Sequence, residues 1–293
     1  MKVFQHGAAL RAWLAGQRCA GRRIALVPTM GNLHRGHLRL VERARMLADV
    51  TVASIFVNPT QFGPDEDYQR YPRTLEADLH ALREAGCSAV FTPSVEEMYP
   101  QGLEFQTRLS VPQLAKVLCG ASRPGHFDGV CLVVARLFHL ISPDVALFGD
   151  KDRQQQMIIR TMCRDLAFPV TIEAVPTCRE PDGLAMSSRN RYLSPPQRQQ
   201  APELFRTLRW MVDAIRSGRR DYRHLEQEGR LRLKGAGFRV DYLSIRRLTD
   251  LNEATGDEPG SDLAVFAAAF LGSTRLIDNL KVEEQYQEVS TTN

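Results

Sequence analysis

The segment "VPTMGNLHRGHLRLVERAR" (27–45) sets His34 and His37 three residues apart, directly after a run of strand character and at the start of an amphipathic helix. Side chains at that spacing share a helix face, so once the helix has begun both imidazoles can face one ligand. Gly31 supplies a turn out of the strand and Gly36 keeps the first helical turn small. Backbone N–H groups there can approach an anion, and the helix dipole favours phosphate. Neutral or protonated, the two rings can donate to phosphate oxygens as charge grows during group transfer. The pattern is neither the G-x-G-x-x-G dinucleotide fingerprint nor a G-x-x-x-x-G-K-[ST] phosphate loop. On this motif alone, an ordinary pair of helix-lining histidines stays open.

Two other polar stretches follow apolar runs, and a fourth piece lies in the polar loop after Pro176. "IFVNPTQFGPDEDYQRYPRT" places Asn58 and Gln61 where a strand ends, and amides there suit the carboxylate and hydroxyl groups of a small substrate. "LFGDKDRQQQ" offers Lys151 to neutralise phosphate, with Asp152 and Gln155 one turn apart for hydroxyl groups. "DGLAMSSRNRYLS" brings Ser187, Ser188 and Arg189, hydroxyl donors and a guanidinium suited to bidentate phosphate contact. Taken singly, each is equally a solvated loop, and the serines a capping turn or a phosphorylation site. The convergence of those that follow strands on one edge of one sheet is what argues for a site.

The elements that must position them alternate. Strand-length runs at 23–29, 50–58, 87–93, 144–149 and 170–176 are separated by helical patterns at 35–49, 74–86, 129–141 and 152–166. Gly86 caps the second of these helices, and Glu76 and Asp78 favour its first turn. Such alternation predicts a Rossmann-like α/β fold: a parallel sheet with flanking helices and right-handed crossovers, with ligands bound beyond the carboxyl ends of the strands. After Pro176 the pattern becomes α+β, with helices at 195–218 and 222–237 and strands at 238–247 and 262–282. The expected division is a domain over 1–176, a smaller α+β domain over 177–283 and a disordered tail over 284–293.

Hydrophobic residues at 43% and charged residues at 25% exclude disordered and fibrous classes. A net charge of +4 without a basic block argues against nucleic acid as a partner. Six cysteines at irregular distances, with no C-x-x-C pair, fit a reduced cytoplasmic protein and give no zinc pattern. No window has the length of a membrane span, and the N-terminus does not read as a signal peptide.

Across "PTMGNLHRGH", "FVNPTQFGPDEDYQRYPRT", "SRPGHFDGV", "FGDKDRQQ" and "DGLAMSSRN" the chain resembles the pantothenate synthetase (pantoate–β-alanine ligase) family, over roughly Ile24 to Val282. The resemblance implies a two-step reaction, in which ATP with Mg2+ adenylates the pantoate carboxylate and the β-alanine amine then displaces AMP. It implies that Met30, Gly31, Asn32, Leu33, His34, Arg35, Gly36 and His37 bind ATP, with His34 and His37 at the phosphates and His37 the proton donor. Gly149, Asp150, Lys151 and Asp152 contact nucleotide, Cys178 lies near the adenine, and Met186, Ser187, Ser188 and Arg189 form a second ATP loop. His34, His37, Lys151 and Arg189 form the catalytic set. Gln61, Gln155 and Asn58 hold pantoate and β-alanine, and Asp78 stands on the magnesium side or is a plain helix carboxylate. The first domain then binds ATP and pantoate, the second is a lid alongside the loop Pro64 to Arg73, and a homodimer is expected.

The chain departs from the family pattern at Arg35, Asp150, Arg153 and Cys178; Arg35 is read as pointing to solvent, and none of the four removes a residue the chemistry needs. A nucleotidyltransferase would want a second basic cluster for an acceptor phosphate where this chain has Gln61 and Gln155. A silent nucleotide-binding module would be expected to lack one of His37, Lys151 or Arg189.

Overall fold

The computed structural model describes residues 1–64, 66–104 and 106–283. The chain divides into two units, Met1–Thr177 and Cys178–Asn293, one residue beyond the expected boundary, and the expected tail at 284–293 lies outside the described residues.

In the first unit the chain runs β1 (Lys2–Phe4), α1 (Gly7–Cys19), β2 (Ile24–Thr29), α2 (Arg35–Leu47), β3 (Val50–Ile55), α3 (Leu75–Glu84), β4 (Ala89–Phe91), α4 (His126–Ile141), β5 (Val145–Gly149), α5 (Arg153–Asp165) and β6 (Thr171–Val175). The six strands form one sheet in the order β1-β4-β3-β2-β5-β6, every pair parallel. β2 and β3 are apolar and buried along almost their whole length, as strands covered on both faces must be. From β2 the chain moves outward to β3 and β4, then returns through α4 to lay β5 on the other side of β2. The strand order therefore reverses between β2 and β5, and the crevice beyond their carboxyl ends is where an open α/β sheet binds ligands.

β3 stops at Ile55, short of the strand expected to 58, because Asn58 caps a single 3-10 turn with Pro59 at its first position. In the second unit, helices α6 (Glu203–Arg216) and α7 (Tyr222–Gly235) pack on an antiparallel sheet of β7 (Arg239–Arg247), β8 (Leu263–Leu271) and β9 (Thr274–Lys281). Leu204, Leu208, Met211, Leu225 and Leu233 meet Leu243, Val265 and Leu276 in a core of its own. The single helix expected over 195–218 is two: Pro195–Gln200 ends before Pro202, which has no N–H for the helical ladder, and α6 begins at Glu203.

Candidate active site

The loop from β2 to α2 is held in shape before any ligand arrives. Gly31 sits at φ +80, and a Cβ there would lie 2.9 Å from the Asp78 carboxylate, so only glycine fits. Asp78 reaches in from α3, is buried, and accepts the main-chain N–H of Asn32 at 2.8 Å and of Leu33 at 2.8 Å. The Thr74 hydroxyl adds a third bond at 3.2 Å. Both carboxylate oxygens are engaged by protein, so Asp78 acts here as a tie for the loop.

His34 caps α2. Its Nδ1 accepts the Gly36 N–H at 3.1 Å, while His37 Nδ1 accepts the His34 N–H at 3.3 Å, and the ring centroids are 4.1 Å apart. With Nδ1 accepting, each neutral ring carries its proton at Nε2, a tautomer assigned from these hydrogen bonds. Burial, then the fields of His34 and Lys151, push His37 down to about 3, so it is neutral at physiological pH. Arg35 is exposed, as expected.

Lys151 comes from the other side of the crevice, in a 3-10 turn after β5, with Nζ 3.8 Å from Asp152 Oδ2. Beneath it runs an ion pair between Asp150 and Arg153 at 3.1 Å, each side chain 8% exposed, with Gln156 donating to Asp150 at 3.3 Å. Asp150 therefore faces inward, to Arg153 and Gln156. Gln154 is buried as well, donating to the carbonyls of Leu114 at 2.8 Å and Val117 at 2.7 Å and accepting from the Cys119 N–H. Gln155, between these two committed amides, is half-buried, and its side chain makes no hydrogen bond among the described residues.

The turn after β3 is pinned from behind by α4. Gly129 lies so close that a Cβ would fall 2.2 Å from the Thr60 carbonyl oxygen. Asn58 is 1% exposed; it donates to Gly129 O at 3.1 Å and to Gln61 Oε1 at 3.2 Å, and accepts from Tyr99 Oη at 2.8 Å and from the Thr60 N–H and hydroxyl. Expected as a substrate amide, Asn58 has both side-chain N–H groups and its Oδ1 taken up by protein. Gln61 is its neighbour, and its Nε2 donates to Met30 Sδ at 3.1 Å, which joins this turn to the loop after β2.

Two side chains that residue-level reading passed over complete the picture. His126 Nδ1 lies 2.7 Å from the main-chain oxygen of Gln61, and its Nε2 lies 3.0 Å from Arg123 Nη1. A guanidinium only donates, so Nε2 accepts and the His126 proton sits on Nδ1, the opposite tautomer to His37. Burial and the Arg123 charge push His126 down to about 4, while Asp152 is close enough to act the other way. Arg123 also donates to Gln61 O at 3.3 Å and makes a bidentate pair with Glu66. Although burial opposes its charge, that guanidinium holds Glu66 below the usual carboxylate range. "SRPGHFDGV" marked these residues only by resemblance, since their partners are about sixty positions away.

In the second unit, the Met186 N–H donates to Cys178 O at 2.9 Å, closing a short bridge between Arg179 and Ala185. Arg179 anchors the bridge through a bidentate pair with buried Asp278 at 2.6 and 2.9 Å. Ser187 caps the turn Ser188–Tyr192, accepting the Arg189 N–H at 3.3 Å, and Asn190 donates to Ala185 O at 3.1 Å. Met186 to Arg189 are thus a braced turn of this unit.

Within the first unit, then, His34, His37, Met30, Gln61, Lys151, Asp152 and His126 share one neighbourhood outside the sheet's carboxyl edge. Comparison with known proteins places this geometry. A family model described as pantoate–β-alanine ligase matches residues 2–281. The chain is 58% identical over 278 residues to the pantothenate synthetase of Pseudomonas entomophila strain L48, covering 94% of this chain and 96% of that protein. It is 56% identical over 275 residues to the pantothenate synthetase of Azotobacter vinelandii strain DJ, covering 94% and 96%. The crystal structure of pantothenate synthetase from Thermus thermophilus superposes with a TM-score of 0.90 at 48% identity, covering 97% of this chain and 100% of that one. A pantoate–β-alanine ligase from Francisella tularensis, complexed with Beta-gamma ATP and β-alanine, gives 0.81 at 31% identity over 97% and 99%. With matches of this length and identity, the chain belongs to the pantoate–β-alanine ligase family.

Proposed function

We propose that the protein condenses pantoate with β-alanine at the expense of ATP, through a pantoyl adenylate, releasing pyrophosphate and then AMP. The pantoate carboxylate oxygen attacks the α-phosphorus of ATP and pyrophosphate leaves; the β-alanine amine then attacks the acyl carbon and AMP leaves. Neither step needs a side-chain nucleophile, so the protein's part is alignment and charge stabilisation. The observation that carries the reading is the switch-point crevice, where Lys151 on one wall stands close enough to depress His37 on the other. His34 and His37 offer neutral Nε2–H donors to phosphate oxygens, and Lys151 answers the growing charge as pyrophosphate departs.

On this reading Gln61 and Gln155 hold pantoate, with Gln61 also near β-alanine, Gly149 and Asp152 contact nucleotide, and Met186 to Arg189 form the second ATP loop. Mg2+ enters with ATP as part of the substrate. The same reading makes the enzyme a cytoplasmic homodimer; no described helix is long and apolar enough to cross a membrane.

The test is to mix the protein with ATP and Mg2+, add pantoate, and follow pyrophosphate and AMP before and after β-alanine. A pantoate-dependent burst of pyrophosphate, with steady AMP release only after β-alanine, is the expected result. His37→Ala and Lys151→Ala should each lower turnover about a hundredfold with the fold intact, the loss typical of one positioned donor or charge. Near-wild-type turnover in both would remove them from the site, and ATP binding without any response to pantoate would move the search to phosphorylated acceptors.

A further inference from the structure

Resting on that reading of Gln61 as a substrate amide, we infer that Arg123 and His126 are positioning residues, which clamp the main-chain oxygen of Gln61 and fasten the loop that follows it through Glu66. The clamp is built from one element and acts on another. His126 is the first residue of α4 and Arg123 lies three residues before it; the next turn of the helix carries Gly129, the point where it touches the Thr60 carbonyl. Gln61 O receives two donors, His126 Nδ1–H at 2.7 Å and Arg123 Nη2–H at 3.3 Å. The first exists only because Arg123 Nη1 donates to Nε2 at 3.0 Å, which forces the ring proton to Nδ1. The same guanidinium grips Glu66 with its remaining donors.

Arg123 is therefore the common member of two contacts. One fixes the peptide of Gln61, whose side chain meets Met30 of the nucleotide loop; the other holds the loop carrying Glu66, the stretch expected to cover the substrate. The arrangement makes order in that loop and placement of the amide a single event. Neither residue is needed to touch a reacting atom.

His126 can be replaced so that the clamp survives or fails. An Asn amide nitrogen can occupy the place of Nδ1, so His126→Asn keeps the donor to Gln61 O, whereas His126→Ala loses it. Arg123→Met removes both contacts at once. The readouts are the specificity constant for pantoate, the KM for ATP, and hydrogen–deuterium exchange of the main chain over 61–73 in the ligand-free enzyme.

His126→Ala and Arg123→Met should each lower the specificity constant for pantoate by about tenfold or more, as losing one well-placed hydrogen bond does, with KM for ATP moved by less than about threefold. Exchange over 61–73 should rise in both, and His126→Asn should stay near wild type on every readout. Equal losses toward pantoate and ATP, unchanged exchange in Arg123→Met, or no rescue by His126→Asn would each overturn the clamp. Exchange is read without substrate, so a failure of the pantoate reading would show as absent wild-type turnover with the exchange pattern intact.

Discussion

His37 and His126 are opposite tautomers, decided by which neighbour reaches which nitrogen. A main-chain N–H meets Nδ1 of His37, whereas a guanidinium meets Nε2 of His126. Both rings are held neutral, at about 3 and about 4. A proton-detected titration of the ring signals should accordingly stay flat for both from pH 8 to about 5.5, and a midpoint near the ordinary 6.5 for either would contradict the geometry. Below 6.5 the unfolded chain takes up protons that the native rings refuse. Their contribution to stability is thus complete above about pH 6.5 and falls as pH drops towards 4 and then 3, which acid melts would register. At this scale His34, His37 and Lys151 were legible, because histidine spacing and a lysine at a strand end restrict what those residues can do. The surroundings of Asn58 were not: five bonds to protein gather on its amide, from partners up to 71 positions away.

At the scale of elements, the turn between β5 and α5 rests on the Asp150–Arg153 pair. Replacing one partner takes away the close counter-charge of the other, buried group, a cost of up to about 3–5 kcal/mol, while an apolar or neutral pair of similar volume recovers most of it. Asp150→Asn and Arg153→Met should each lower denaturation midpoints strongly, and the double variant should be more stable than the sum of the singles implies; strict additivity in that cycle would mean the pair is not coupled. The alternation of strands and helices was readable from periodicity, since β2, β3 and β5 are short, mostly apolar runs and α2 and α5 each present one apolar stripe. β1 and α1 were not read, as a three-residue strand has too few positions to show a period and its pairing with β4 is made across almost ninety residues. The break at Pro202 was readable in principle, from a proline inside the expected helix.

For the whole molecule, the second unit carries its own core between two helices and an antiparallel sheet, the minimum an independent domain requires. A fragment spanning 178–283 should therefore melt in one cooperative transition with mixed helix and strand signals, and a featureless, non-cooperative melt would show that its core is insufficient alone. Family membership was legible because its five motifs are spread over both units; the internal ties that shape the site were not, because each links residues remote in the chain. Asp78 shows what such a tie does. It belongs to one β–α repeat and fixes the loop after β2 in another, so the shape of that loop is part of the folded state. The entropy of ordering it is surrendered once in the life of the chain, as it folds, and is not exacted again at every turnover. On the proposed function, ATP meets a loop already in shape, with no ordering step of its own to wait for.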